Sequence, residues 1–324
     1  MSEFDNVLNG TADKKAEQTV EKIEAEVQFD DALEGGGDKK TYGQIMAEKK
    51  AKCYAMIDDA CLEVFSNPSK LYEYLMVQSS FERYSLNNNL LIFAQNPGAT
   101  KLKDFDGWKK AGYYVKKGAE SIMILEPSNY TGTDGKPYRG YNAKNVFNIE
   151  DVNVPPEAYP EAKSYEQKKL IEALVHGAPA AIRKTEQNLG ENAAVYDPAN
   201  KTVFFKPGMS FDVIFPAIAK ALAHAEMAKG DANYRVNDNE FKARCAANIL
   251  AQKYGVDTHS MSIHSIPPKY ASLEAEDVKK ELGEVHASVK SISSRMYEVL
   301  EKTQDKEQSQ PQTQNKGSRN REER

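Results

Sequence analysis

Asn96-Pro97-Gly98 separates two different hydrophobic periodicities, and that change constrains the class of fold. Before it, Leu71 to Val77 and Asn88 to Gln95 carry apolar residues at helical spacing. The Asn-Pro-Gly run stops the second of these helices. After it, Tyr113-Tyr-Val-Lys and Ser121-Ile-Met-Ile-Leu alternate, which predicts two strands joined by a turn at Lys116-Lys117-Gly118-Ala119. Gly118 can adopt a positive φ without steric penalty. Such a hairpin would carry Lys116 and Lys117 at its tip. It would set Tyr113 and Val115 on one face and Tyr114 on the other. Helices followed by strands in one stretch indicate an α+β protein.

The same stretch mixes aromatic, amide and lysine side chains, and Trp108 is the only tryptophan in 324 residues. Between residues 81 and 125 stand seven cations, Arg83, Lys101, Lys103, Lys109, Lys110, Lys116 and Lys117. Four acids oppose them, Glu82, Asp104, Asp106 and Glu120, so the segment is +3 in a chain of net charge −5. A local excess of positive charge attracts phosphate whatever the sign of the whole chain. Rings for bases and cations for phosphates are the mixture that holds single-stranded nucleic acid. An ordinary α+β surface with solvated lysines has the same composition, and aromatic rings often serve packing instead.

The order of residues adds to this. Tyr84, Ser85, Asn88, Leu90, Leu91, Ile92, Gln95, Pro97, Ala99, Thr100, Phe105, Trp108, Gly112, Val115, Lys117, Gly118 and Pro127 follow one another in a recognisable pattern. It resembles the N-terminal single-stranded-DNA-binding domain of ArdC-type antirestriction proteins, which conjugative plasmids and mobile elements carry. Val146-Phe147-Asn148-Ile149 resembles the next strand of that family. Residue chemistry and the resemblance together make Arg83, Tyr84, Asn88, Gln95, Trp108, Lys109, Tyr113, Tyr114, Lys116 and Lys117 the candidate DNA contacts. Tyr84, Trp108 and one of the two adjacent tyrosines are the candidates for base stacking.

A second ordered pattern begins at Ser164. Lys169-Leu-Ile-Glu-Ala-Leu opens a helix, and Ala194-Val-Tyr-Asp and Thr202-Val-Phe-Phe-Lys are short strands about an Asp197-Pro-Ala-Asn turn. Ser210 caps a helix that runs through His224, and Glu240 to Ala251 forms another. This resembles the zincin-like metallopeptidase domain of ArdC-type proteins. In that family a His-Glu-x-x-His helix holds zinc through two histidines one turn apart, with the glutamate as base. A glutamate from the next helix completes the ligand set. The corresponding positions here are Lys220, Ala221, His224 and Arg244, so the resemblance implies a degenerate site and a pseudo-peptidase. No catalytic residue, metal or cofactor is expected. Lys220 and Arg244 could each pair with a nearby acid such as Glu226 or Glu240, so that the fold survives without metal. A rebuilt site would have to draw on His224, Glu226, Glu240, Cys245, His259 and His264.

The remainder of the chain sets the expected organisation. Residues 1–38 hold eleven acids and three lysines, and residues 1–42 are read as an acidic disordered arm, with a transient helix possible over Lys15 to Val27. Gly43 to Ser66 reads as a helix with its stripe at Met46, Cys53, Met56, Ile57, Ala60 and Val64. The DNA-binding domain would span 43–152, a proline-rich linker 153–163, and the zincin-like domain 164–302. The last part of that domain is a helix with apolar positions at Val278, Leu282, Val285, Val289, Ile292, Met296 and Val299. A polar disordered tail would follow over 303–324. Three cysteines without CxxC spacing suggest free thiols. There is no apolar run of membrane length, no membrane partner is expected, and the cytoplasm is the expected location.

The function expected from these readings is sequence-independent binding of single-stranded DNA during transfer of a mobile element, with possible antirestriction. Two alternatives stay open. The pseudo-peptidase domain could be a protein-interaction module with its own protein partner, or a rebuilt metal site could make the chain a metal-dependent peptidase.

Overall fold

A computed structural model of the chain describes residues 40–131, 135–159 and 164–308. The expected helix over Lys15 to Val27, most of the acidic arm and residues 309–324 of the tail lie outside these. The described residues from Met46 onward form one compact unit.

Short polar signals begin the helices. Thr41 and Gln44 cap the first, α1 (Tyr42–Val64), reciprocally: the Gln44 amide donates to Thr41 Oγ1 and the Thr41 amide to Gln44 Oε1. α1 buries Cys53, Ile57, Ala60, Cys61 and Val64. Asn67 caps α2 (Pro68–Ser80), whose first residue is the proline, and Ser85 caps α3 (Leu86–Gln95). α3 ends at Asn96, before Pro97.

Two small sheets follow. β1 (Leu102–Lys103), β2 (Ile122–Thr131) and β3 (Pro137–Asn148) form an antiparallel sheet in the order β1-β3-β2. β2 pairs with β3 from Ile122↔Val146 to Thr131↔Pro137. Between β1 and β2 lies α4 (Phe105–Lys110), capped by Asp104. A Cβ at Gly107 would lie 2.7 Å from Asp104 Oδ1, the oxygen that accepts the Gly107 amide, so a side chain there would displace the cap. After α5 (Gln167–Val175), strands β4 (Ala181–Lys184), β5 (Ala194–Asp197) and β6 (Thr202–Phe205) make the second sheet. Its order is β4-β6-β5, with β4 parallel and β5 antiparallel to β6. Asp197 Oδ1 accepts the Ala199 amide in the expected β5–β6 turn.

The expected hairpin between 113–116 and 121–125 does not form. Val115 bridges Val152, the Lys116 amide donates to Asp151 O, and the Asn153 amide donates to Tyr114 O. Gly118 has φ +81 and does make a turn, but the strand after it pairs onward with β3. The physical reason is the outer edge of β2, which helix side chains already occupy. Asn88 donates to Leu125 O and accepts the Leu125 amide. Gln95 does the same for Met123. Two amides on one face of α3 thus satisfy alternate residues of a strand edge that no other strand covers.

Helices α6 (Phe211–Met227), α7 (Val236–Lys253), α8 (Pro268–Ala271) and α9 (Ala275–Gln308) complete the chain. α6 and α7 pack against each other, and both bury small residues, including Ala217, Ala221, Ala225, Ala243, Ala247 and Ala251. α9 buries Val278, Leu282, Val285, Val289, Ile292, Met296 and Leu300; Val299 is only half-buried, so the stripe ends one residue later than its spacing suggests. The helix runs to Gln308 instead of stopping before Thr303. Elements from either side of residues 153–163 pack together. α2 packs on α7 and α3 on α9, and one hydrophobic cluster joins Leu71, Tyr74 and Leu90 to Leu174, Phe215, Ala246 and Val289. All three cysteines are free and buried. Among the described residues, no helix is long and apolar enough to cross a membrane.

Candidate functional site

The facing surfaces of α6 and α7 carry a cluster of charges centred on one carboxylate. Lys220 and His224 are one turn apart on α6 and therefore share a face. Lys220 Nζ donates to Glu240 Oε1 at 2.7 Å and to Asn192 Oδ1 at 3.0 Å. His224 Nε2 lies 3.1 Å from Glu240 Oε2. A carboxylate can only accept, so Nε2 carries the proton. His224 Nδ1 lies 2.7 Å from the Tyr234 hydroxyl, whose pKa burial pushes up and so keeps protonated. Arg244, one turn after Glu240 on α7, brings its guanidinium 3.7 Å from Glu240 Oε1.

Lys220 and His224 are only 8% and 2% exposed. Burial alone would raise the Glu240 pKa, but the hydrogen bonds from His224 and Lys220 outweigh it and hold the carboxyl down at about 2. Three of the four positions matched to the zincin pattern, Lys220, His224 and Arg244, therefore converge on Glu240. The fourth, Ala221, is buried. The acid that sits beside the histidine comes from position 240, a turn before the position the family pattern marks.

These residues do not fit a zinc ion. An ammonium and a guanidinium approach where ligands would be required, and the one carboxylate is committed to them. Among the described residues, no three of His, Cys, Asp and Glu cluster as a metal site. Glu226, the other acid considered as a partner, instead takes Arg295 at 2.6 Å and Lys229 at 2.5 Å. A second buried cation, Lys242, pairs with Glu281 and Glu284 on α9.

The candidate DNA contacts separate into four groups. Asn88 and Gln95 commit their amide groups to the edge of β2, as described. Trp108 is 1% exposed and donates from Nε1 to Phe147 O at 2.9 Å. With Ile149 and Val152 it makes a small separate core, and Tyr113 packs edge-on against it. Trp108 is therefore packing and not an open stacking platform. Lys101 and Lys103 lie over its ring at 6.0 and 5.7 Å.

Lys109, Tyr114, Lys116 and Lys117 are exposed around that small core, and Lys116 donates to Glu150 O. Arg83 and Tyr84 stand elsewhere, in a cleft of about 360 Å³ lined also by Tyr165, Lys253, Tyr254 and Tyr297. The Arg83 guanidinium lies 4.5 Å from the centre of the Tyr297 ring, and Tyr84 packs edge-on against Phe81. Asn192 and Tyr234, which complete the Glu240 cluster, lie outside every motif and carry no local sequence signal. The paired, exposed tyrosines of β2 and β3 also escaped the sequence reading.

No family model matches the chain. It is 22% identical over 330 aligned positions to an uncharacterized protein of Bacillus anthracis, covering 86% of this chain and 56% of that protein. The chain thus spans little more than half the length of that curated relative. Among solved structures, it is similar to the antirestriction ArdC protein from the R388 plasmid. The metal-free form gives 14% identity and a TM-score of 0.43, over 68% of this chain and 86% of that one. The Mn(II)-bound form gives 14% identity and a TM-score of 0.49, over 78% and 97%.

Proposed function

We propose that this chain binds single-stranded DNA without reading its sequence, and that its C-terminal part is a peptidase relative that no longer cuts. The observation that carries the DNA reading is the group of exposed cations with an exposed ring around the Trp108 core. Lys109, Lys110, Lys116 and Lys117 flank Tyr114 on a short segment beside that core. Cations there would neutralise phosphates and release their counterions, and the ring would take a base. Base edges are not needed, so the binding is sequence-independent. The ordered resemblance to ArdC-type proteins supports the same reading and suggests a cytoplasmic antirestriction role during transfer of a mobile element.

For the C-terminal part, the support is the convergence of Lys220, His224 and Arg244 on Glu240. A positive charge from side chains stands where the family pattern would place a metal, and Ala221 offers no base. Peptide hydrolysis through an activated water has no candidate residue in this arrangement.

Binding is tested by anisotropy of a labelled oligo-dT strand and of a duplex, with wild type and with Lys116→Glu/Lys117→Glu. Preference for the single strand, weakened by the charge reversal, supports the reading. Equal affinity of the two proteins would remove the lysine segment from it.

A further inference from the structure

The β2–β3 hairpin is longer than the core requires. Its last buried residue on β2 is Leu125, yet the strands stay paired to Thr131↔Pro137. Six further residues on each strand extend it by roughly 20 Å. Almost all of them are exposed, and only Ser128 and Gly140 are half-buried. A two-stranded ribbon has little stability of its own, so a ribbon this long needs support from its side chains.

Tyrosines supply that support in an unusual arrangement. Tyr130 stands directly opposite Tyr138, and the two rings stack with centroids 5.7 Å apart and planes 23° apart. Gly140 is next to Tyr138 on the same face. A Cβ there would come within 3.0 Å of Tyr130 Cε1, so the ring fills the space that a side chain at 140 would take. The rings are nevertheless open to solvent, Tyr130 being 55% and Tyr138 43% exposed. Arg139 and Tyr141 lie on the opposite face, with Tyr141 48% exposed. The ribbon, residues 126–142, holds Glu126 and Asp134 against Lys136 and Arg139, so its charge is balanced and it adds no repulsion of its own to a phosphate backbone. Three open rings with Arg139 among them suit a strand that offers bases and phosphates together.

We propose that this ribbon is an arm for single-stranded DNA, with Tyr130 and Tyr138 as the stacking platform and Arg139 as a phosphate contact. The proposal rests on the DNA-binding reading above and moves the base contacts away from Trp108.

The test uses the full chain and a labelled oligo-dT strand. Tyr130→Ala/Tyr138→Ala is expected to weaken binding at least about fivefold for each ring lost, while Tyr130→Phe/Tyr138→Phe keeps the rings and the affinity. Arg139→Gln is expected to reduce the slope of log Kd against log salt by about 0.7. On the unaltered protein, ultraviolet crosslinking to an iodouracil-substituted strand should mark Tyr130 or Tyr138 by mass spectrometry. Crosslinks confined to other segments, or an alanine variant that binds like wild type, would overturn the arm and leave the DNA reading standing. Wild type that binds no single strand, or prefers a duplex, would overturn both.

Discussion

Glu240→Gln keeps the shape of the side chain and removes the charge on which Lys220, His224 and Arg244 converge. The size of the effect can be bracketed from two sides. The Glu240 carboxyl is held at about 2, from an ordinary 4.5. Counted in full, that corresponds to roughly 3 kcal/mol. The side chain is 36% exposed, and solvent screening reduces the figure to about 1–2 kcal/mol. From the other side, removing one partner of a buried ion pair costs about 3–5 kcal/mol. Lys220 is buried, but a glutamine oxygen still accepts from it, which places the loss near the lower end. We expect about 2 kcal/mol at pH 7, read as a fall in Tm of roughly 4–8 °C.

The pH dependence separates charge from packing. Because the folded pKa lies below the unfolded one, the stabilisation is present above about pH 4.5 and is lost as pH falls towards 2. Urea unfolding of wild type and variant at pH 7, 5 and 3 should therefore show a gap that narrows at the lowest pH. Adding Lys220→Met should recover part of the loss, since an apolar side chain in place of an orphaned ammonium removes its desolvation cost. A variant as stable as wild type at pH 7, or a gap of the same size at pH 3, would refute the reasoning.

Other outcomes follow from the same geometry. Asn88→Ala strands a buried amide and a buried carbonyl of Leu125, and should cost about 2–4 kcal/mol in urea unfolding. Once folded, that variant should bind DNA as wild type does; a selective loss of affinity would return Asn88 to the binding surface. Lys220→His/Arg244→Ala would offer two imidazoles one turn apart and the Glu240 carboxylate, and should bind zinc stoichiometrically by elemental analysis. Failure of a folded variant to hold zinc would contradict the match of these positions to the zincin pattern. Trp108, buried and hydrogen-bonded, should emit in the blue and resist acrylamide quenching. Strong quenching by single-stranded DNA would contradict its burial.

Much of the helical framework was legible because its signals are local. Apolar spacing marked α1, α2, α3 and α9, the Ser210 cap marked the start of α6, and Asn96-Pro97 placed the end of α3. The first sheet was less legible because pairing is not local. Residues 113–116 and 121–125 both alternate and flank a real turn at Gly118, which suits a hairpin. Alternation fixes which residues share a face but not which strand comes alongside. The actual partners, Val152 for Val115 and β3 for β2, lie further along the chain.

The same limit applies to the sites. Helical spacing showed that Lys220 and His224 share a face, as do Glu240 and Arg244. Which of the latter pair reaches across depends on how α6 and α7 pack, and the answer is Glu240. Trp108 among lysines reads equally as a platform or as a core residue. The Phe147 carbonyl and the Ile149–Val152 segment, some forty positions away, make it core. Asn88 and Gln95 became candidates because they match positions of the family pattern, and a pattern match does not show that their amides partner a strand edge.

The most direct test of the central claim is the affinity of the full chain for oligo-dT across a range of salt concentrations, with a duplex of the same length beside it. The account expects preference for the single strand and a log Kd that rises linearly with log salt, by about 0.7 for each phosphate neutralised. No binding to the single strand, or an affinity indifferent to salt, would contradict it.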